Sequence, residues 1–274
     1  MRWALYVSGS GTNGERIIEK MLDDRDKDDQ SYEIPVIFTN NLTSKAPDLA
    51  LSKYKDRGFT AELVQDPMDE FYASVGCEDL RNKEVRVEFD KRQLSFLERH
   101  MIDAIALAGY DKALTRVITD IYLGLNVHPG RLALKFPGTN IPILSGLAWE
   151  PSAKAIYIGE NQVKTTVHRV AAEVDRGDIY AESAPQQLPE EILGISLEER
   201  AALFGEVGSW DAVKGKELIP GDISSALPFI RAVAHYLREH PGSEKEIAAR
   251  VPIVGHGTDL QNRLKIWGDW KIYA

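Results

Sequence analysis

Short apolar runs alternate with longer amphipathic stretches through the first half of the chain, and this alternation predicts its architecture. Trp3 to Val7 reads as a strand that ends in Ser8-Gly9-Ser10-Gly11-Thr12-Asn13-Gly14. The following stretch places Ile17, Ile18, Met21 and Leu22 on one face of a helix. Ile34 to Phe38 predicts a second strand, closed by Thr39-Asn40-Asn41. Residues 46–54 predict a helix, and Thr60 to Val64 a third strand. The charged, irregular stretch 66–90 reads as an insertion or a mobile surface segment. Leu94, Phe96, Leu97 and Met101 then predict a helix that feeds the most apolar strand, Ile102 to Ala108. Ile121 to Val127 predicts one more strand, and Ala155–Ile158 with Thr165–Val170 a later strand pair. Near-continuous apolar strands separated by helices predict an α/β fold: an open, mostly parallel, Rossmann-like sheet with helices on both faces.

Past residue 185 the pattern turns helical. Ser196 followed by Glu198 and Glu199 marks one helix start. Ser225 reads as the cap of another, with Pro228 in its first turn and Leu227, Ile230, Val233, Ala234 and Leu237 as its apolar stripe. That helix stops at His240-Pro241-Gly242, and residues 243–250 predict a third. The tail from Pro252 carries Trp267 and Trp270 and is too apolar for a disordered tail. The expected organisation is a domain over residues 1–185 and a mainly helical extension over 186–274 that packs on it.

Composition narrows the function classes. In 274 residues the net charge is −9, with no stripe of clustered Lys and Arg, which argues against nucleic acid as a partner. A small anionic ligand stays allowed, because backbone dipoles can bind it locally. Cys77 is the single cysteine, so no internal disulfide and no cysteine pair on a metal can form. No apolar run is long enough to cross a bilayer, and the N-terminus enters a strand pattern with no signal-peptide core. These features predict a cytoplasmic protein with no membrane partner.

Three segments hold candidate chemistry. The turn at Gly9, Gly11 and Gly14 joins a strand to a helix start, where free N–H groups can hold an anion and Thr12 and Asn13 can add donors. The same glycines fit a dinucleotide-binding fingerprint, but the second strand ends in Phe38-Thr39-Asn40 without the acidic residue that grips a ribose. The second segment, Leu125-Asn126-Val127-His128-Pro129-Gly130, lies at the end of an apolar strand. Asn126 and His128 share a face there, and an amide donor beside an imidazole suits oxyanion stabilisation coupled to proton transfer. The third runs from Thr165 through His168 to Asp175-Arg176-Gly177, with a carboxylate in the loop beyond a histidine-bearing strand.

Taken in this order, these segments resemble the folate-dependent formyltransferases, nearest to the branch that formylates glycinamide ribonucleotide in purine synthesis. The resemblance rests on Ser8-Gly9-Ser10-Gly11-Thr12-Asn13, Leu107-Ala108-Gly109-Tyr110, Asn126-Val127-His128-Pro129, Lys135-Phe136-Pro137-Gly138, and Thr166-Val167-His168 with Asp175-Arg176-Gly177. It implies that residues 1–185 form the catalytic domain. It implies catalytic roles for Asn126, which would bond the formyl oxygen as it becomes an oxyanion, for His128, which would move a proton, and for Asp175, which would orient His128 or a relaying water. Gly11, Thr12 and Asn13 would hold the acceptor's phosphate. The co-substrate would be 10-formyltetrahydrofolate, bound by Ala108, Gly109, Lys112, Ala113 and Leu114 and by Ala172, Glu173 and Val174. His168 would stand behind the reacting groups, and no metal would be required. Where the family's loop after Ala-Gly usually reads Phe-Met-Arg-Ile-Leu, this chain has Tyr110-Asp111-Lys112-Ala113-Leu114.

The residues leave other functions open. Formyl transfer to a nucleotide-sugar amine, or hydrolysis of the formyl donor, would use the same groups. A non-catalytic small-molecule binding protein on the same fold, or a nicotinamide oxidoreductase, belongs to a different class. The acceptor, the role of residues 186–274 and the oligomeric state, a homodimer included, stay open.

Overall fold

The computed structural model describes residues 1–27 and 32–265. In chain order, β1 (Arg2–Tyr6) leads to α1 (Thr12–Arg25), and β2 (Glu33–Thr39) to α2 (Ala46–Leu51). There follow β3 (Glu62–Gln65), α3 (Met68–Ser74), α4 (Lys83–Arg99), β4 (Ala104–Leu107), α5 (Arg116–Thr119) and β5 (Leu123–His128). The second half holds α6 (Glu150–Tyr157), β6 (Gln162–Val163), β7 (Thr166–Arg169), β8 (Ile179–Glu182) and β9 (Gln186–Gln187). It ends with α7 (Glu190–Leu193), α8 (Leu197–Ala202), α9 (Ile223–Glu239), α10 (Glu244–Arg250) and α11 (Pro252–Leu264). Seven strands form one sheet in the order β3-β2-β1-β4-β5-β7-β8, and β6 pairs antiparallel with β9. β1 lies parallel to both β2 and β4, and the parallel pairing extends to β3 and β5. The open α/β sheet expected from the sequence is therefore present.

The chain forms two compact units. The first comprises Met1–Val127 and Val167–Ala181; the second comprises His128–Thr166 and the described chain from Glu182 onward. The sequence pattern drew its single boundary at residue 185, whereas the compact units exchange chain at 127, 166 and 181.

In the first unit β1 explains the near-continuous apolar strands. Ala4 and Tyr6 enter one buried cluster with Phe38, Phe89, Phe96 and Leu107, while Leu5 and Val7 enter another with Ile18, Leu22, Ile37 and Leu49. Alternate residues face opposite sides of a strand, and helices cover both sides, so no position is left for a polar residue.

The segment 66–90 corrects the expectation of a mobile insertion. It forms α3 and the first half of α4, with Met68, Tyr72, Phe89 and Asp90 buried. Asn82 caps α4 by accepting from the N–H groups of Glu84 and Val85. The second half of α4 was expected from Leu94, Phe96 and Leu97, but its first half escaped the pattern because the inner face is partly polar: Asp90 and Gln93 are as buried as Phe89 and Phe96. A periodicity that counts only apolar residues loses such a face.

The second unit is built around α6. Every residue from Pro151 to Tyr157 is buried, and Trp149, Ala153 and Tyr157 share a core with Phe204, Phe229, Ile230, Val233, Ile253 and Val254. The C-terminal helices thus wrap a helix from the middle of the chain. Ala155–Ile158, expected as a strand, belongs to α6 instead. A helix buried all round, with Ser152 and Lys154 buried beside the alanines, shows no clean apolar stripe, but Pro151 at its start and left-handed Gly159 past its end mark its limits. Helix α8 has the anticipated start, a capping box between Ser196 and Glu199. Helix α9 begins earlier than expected. Its cap is Asp222, which accepts from Ser224 N–H, so Pro228 lies inside the helix. Trp267 and Trp270 lie outside the described residues.

The order in 66–90 is open to measurement. Phe89→Ala should destabilise the protein by about 3–5 kcal/mol in urea unfolding, as truncation of a buried aromatic does; a near-neutral result would return the segment to the surface.

Candidate active site

The strand order reverses at β1: β2 lies on one side and β4 on the other. Chains leaving the carboxyl ends of β1 and β4 diverge, and the crevice between them is where open α/β sheets bind ligands. The loop after β1 contains the Gly9–Asn13 turn. Gly11 caps α1 with φ 70°, and a Cβ there would sit 2.9 Å from Leu49 Cδ1, so the turn needs glycine for both conformation and closeness. Asn13 presents a buried Oδ1 without a hydrogen-bond partner.

Ser8 ties this turn to its neighbours. Its hydroxyl donates to Asn40 Oδ1 at 2.5 Å and accepts from Asp111 N–H at 3.3 Å; its carbonyl accepts from Asn41 Nδ2 at 2.9 Å. The Ser8 N–H reaches Gly109 O at 3.3 Å, and Lys45 N–H reaches Gly9 O at 3.0 Å. The loops after β1, β2 and β4 are therefore joined through one small residue. Burial would raise the Asp111 pKa, but the Lys112 ammonium at 2.5 Å, with help from Ser8 and Asn40, outweighs it and holds the carboxyl below its ordinary value.

Asn126 lies at the carboxyl end of β5, in register with Leu107 of β4. On the neighbouring strand β7, His168 is buried, and its Nδ1–H donates to the Arg169 carbonyl at 2.8 Å. In the neutral ring Nε2 is then an acceptor, and Asn126 Nδ2 donates to it at 3.2 Å. Asp175 Oδ1 lies 3.8 Å from the same Nε2. Asp175 is buried with φ 60°, a left-handed conformation that aspartate tolerates better than most residues. Gly177 presses the loop home: a Cβ there would lie 1.8 Å from the Arg169 carbonyl oxygen.

His128 follows two residues after Asn126 and belongs to the second unit. It is 3% exposed, and its Nε2–H donates to Leu144 O at 2.7 Å, which makes Nδ1 the acceptor nitrogen of its neutral ring. Gly130 accommodates the ring, since a Cβ there would be 3.0 Å from His128 Nε2 and 2.7 Å from Leu144 O. Thr166 Oγ1 locks the same turn by donating to Gly130 O at 2.7 Å.

The Asn126 amide, the His168 imidazole and the Asp175 carboxylate thus meet where β5, β7 and the loop after β7 come together. Residues 1–206 match the family described as Formyl transferase. The chain belongs to the formyl transferase family. It is similar to the phosphoribosylglycinamide formyltransferase of Haemophilus influenzae, 29% identical over 213 residues, covering 76% of this chain and 85% of that protein. It is 27% identical over 185 residues to the trifunctional purine biosynthetic protein adenosine-3 of Homo sapiens, covering 67% of this chain and 15% of that much longer protein. A solved phosphoribosylglycinamide formyltransferase from Campylobacter jejuni shares the fold at TM-score 0.50 and 20% identity, over 86% of this chain and 97% of that one.

The remaining positions of interest in this formyltransferase divide by burial. Ala108 and Leu114 are core residues, 1% and 2% exposed, with side chain and backbone alike buried. Gly109 is left-handed, and no atom would approach within 4 Å of a Cβ added to it, so a flat ring could lie close to the backbone there. Lys112 is engaged by Asp111, and the Ala113 carbonyl accepts two bonds from Arg86. Ala172 is half-buried, Glu173 stands 3.8 Å from Arg116, and Val174 is an exposed apolar side chain. His168 stands behind Asn126, whose amide it accepts from. The structure also gives contacts to Ser8, Asn40, Asn41 and Arg86, to none of which the sequence assigned a role. The repeated amides in Thr39-Asn40-Asn41 at a strand end were the available signal for two of them.

These contacts assign opposite tautomers to the two histidines. Nitrogen-15 NMR at mildly alkaline pH should show His168 protonated on Nδ1 and His128 on Nε2; the Nε2–H form at His168 would contradict the Asn126 contact as drawn.

Proposed function

We propose that this formyltransferase moves the formyl group of 10-formyltetrahydrofolate to the amine of a small phosphorylated acceptor, glycinamide ribonucleotide, in purine biosynthesis. The observation that carries the proposal is the Asn126 amide at the carboxyl end of β5, held by His168 with Asp175 beside it. In the proposed reaction the amine nitrogen attacks the formyl carbon, the carbonyl oxygen gains negative charge, and the bond from that carbon to the folate nitrogen then breaks. The amine must lose a proton and the folate nitrogen must gain one.

Asn126 is suited to the oxyanion. One N–H of its amide is committed to His168, which orients the plane and leaves the second N–H to the substrate oxygen. His128, further along the same strand with Nε2 on a carbonyl, offers Nδ1 chemistry for the proton. A buried carboxylate at Asp175 stabilises an imidazolium or a protonated relay as the proton moves. Gly11, Thr12 and Asn13 supply helix N-terminal donors for the acceptor's phosphate. The donor's pterin would lie along the loop Ala108–Leu114 and against Ala172, Glu173 and Val174. The open space over Gly109 and the exposed Val174 fit a flat, partly apolar ring. Residues 1–185 would then carry the chemistry, with residues 186–274 as a helical addition.

Turnover of 10-formyltetrahydrofolate, followed by the absorbance of the deformylated folate, tests this directly. With glycinamide ribonucleotide present the wild type should turn over, and Asn126→Ala should lose on the order of 10²–10³ in kcat while keeping its fold. Turnover that ignores the acceptor would replace transfer with hydrolysis, and no donor binding at all would sink the folate assignment.

A further inference from the structure

Helix α4 meets the loop after β4 through a buried ion-pair clamp. Arg86 and Asp90 are one helical turn apart, with Arg86 Nε 3.7 Å from Asp90 Oδ1, and the Asp90 side chain is fully buried. The arginine donates from Nε at 3.1 Å and from Nη2 at 2.7 Å to a single carbonyl, that of Ala113. Asp90 Oδ2 accepts from the backbone N–H of Thr115 at 2.6 Å. Its other oxygen accepts from Gln93 Nε2 at 3.2 Å, and Gln93 Oε1 in turn accepts from the Tyr6 hydroxyl at 2.8 Å. The chain Tyr6–Gln93–Asp90 thus anchors the clamp to β1. Desolvation is the main cost of this arrangement and pushes the Asp90 carboxyl upward; the Thr115 N–H and Arg86 oppose it.

The clamp grips backbone, not side chains. Ala113 contributes only a carbonyl and Thr115 only an N–H, so the clamp fixes the course of the loop whatever residues the loop carries. At its other end the loop is held by Ser8, through Gly109 O and Asp111 N–H. Between these two anchors lie Asp111, Lys112 and Ala113, whose sequence departs from the pattern of the resemblance. A buried charged pair is a costly way to hold a surface loop unless the position of that loop matters.

We infer that Arg86 and Asp90 are positioning residues for the formyl donor: they set the height of the Gly109–Thr115 backbone against which the donor's ring binds. This rests on the proposed donor site. The clamp touches the donor's loop and not the groups assigned to chemistry, so its loss should act on donor affinity alone.

Steady-state kinetics of Arg86→Gln, Asp90→Ala and Asp90→Asn, with each substrate varied in turn, test the inference. Arg86→Gln and Asp90→Ala should raise the donor KM by about tenfold or more, the loss expected for a charged hydrogen bond, with kcat and the acceptor KM unchanged. Asp90→Asn keeps an oxygen for the Thr115 N–H and should recover most of the donor affinity. Hydrogen exchange gives a reading independent of activity: the Thr115 amide should lose protection in Asp90→Ala and keep it in Asp90→Asn. An unchanged donor KM in folded, active Arg86→Gln overturns the inference alone, as does a fall in kcat with both KM values unchanged. A wild-type enzyme with no saturable dependence on the donor overturns the donor-site assignment, and the inference with it.

Discussion

Two neighbouring parallel strands, β1 and β4, must hand their chains to opposite sides of the sheet, and the rest of the catalytic geometry depends on that divergence. Where connections run the same way, the loops at the strand ends pack over one another. Where the order reverses, the loops part and leave backbone groups facing a crevice. In this protein the parting loops are those of the glycine turn and of Gly109–Thr115, and Ser8 bridges them at their base. The two loops are therefore tied together at their base.

Rigidity is distributed unevenly around it. The glycine turn is held by shape: Gly11 and Gly14 fit against Leu49 and Leu5 with no room for a side chain. The loop after β4 is held by buried polar groups, since its own side chains divide between core and solvent and leave the backbone to be fixed from outside. Asp175 is held by a third means, a left-handed residue followed by a glycine pressed against the preceding strand.

The second unit follows a different logic. Its centre, α6, is buried on all sides and supplies Ala153 and Tyr157, with Trp149 just before them, to a core completed by residues from Phe204 onward. Helices α8 to α11 therefore share the core of α6, a segment that lies within the formyl transferase match. The same unit holds His128 through the Leu144 carbonyl and shapes the turn at Gly130 around it.

The sequence by itself determined the strands β1, β2, β4 and β5, the glycine turn, and the placing of Asn126 and His128 on one strand end. Those features are local: a strand's period, a glycine's freedom and a two-residue spacing are all properties of adjacent positions. The ordered motifs also carried the family resemblance, for the same reason. Only the tertiary structure decided the partners. His168 meets Asn126 across 42 residues, Asp90 meets Thr115 across 25, and Ser8 meets Asp111 across 103. No local period encodes those distances, because they are set by which strands lie side by side. The two misread elements share this cause. Helix α4 hides its inner face by burying Asp90 and Gln93, and α6 hides its period by being buried all round. Both patterns make sense only once the groups that satisfy or enclose them are in place.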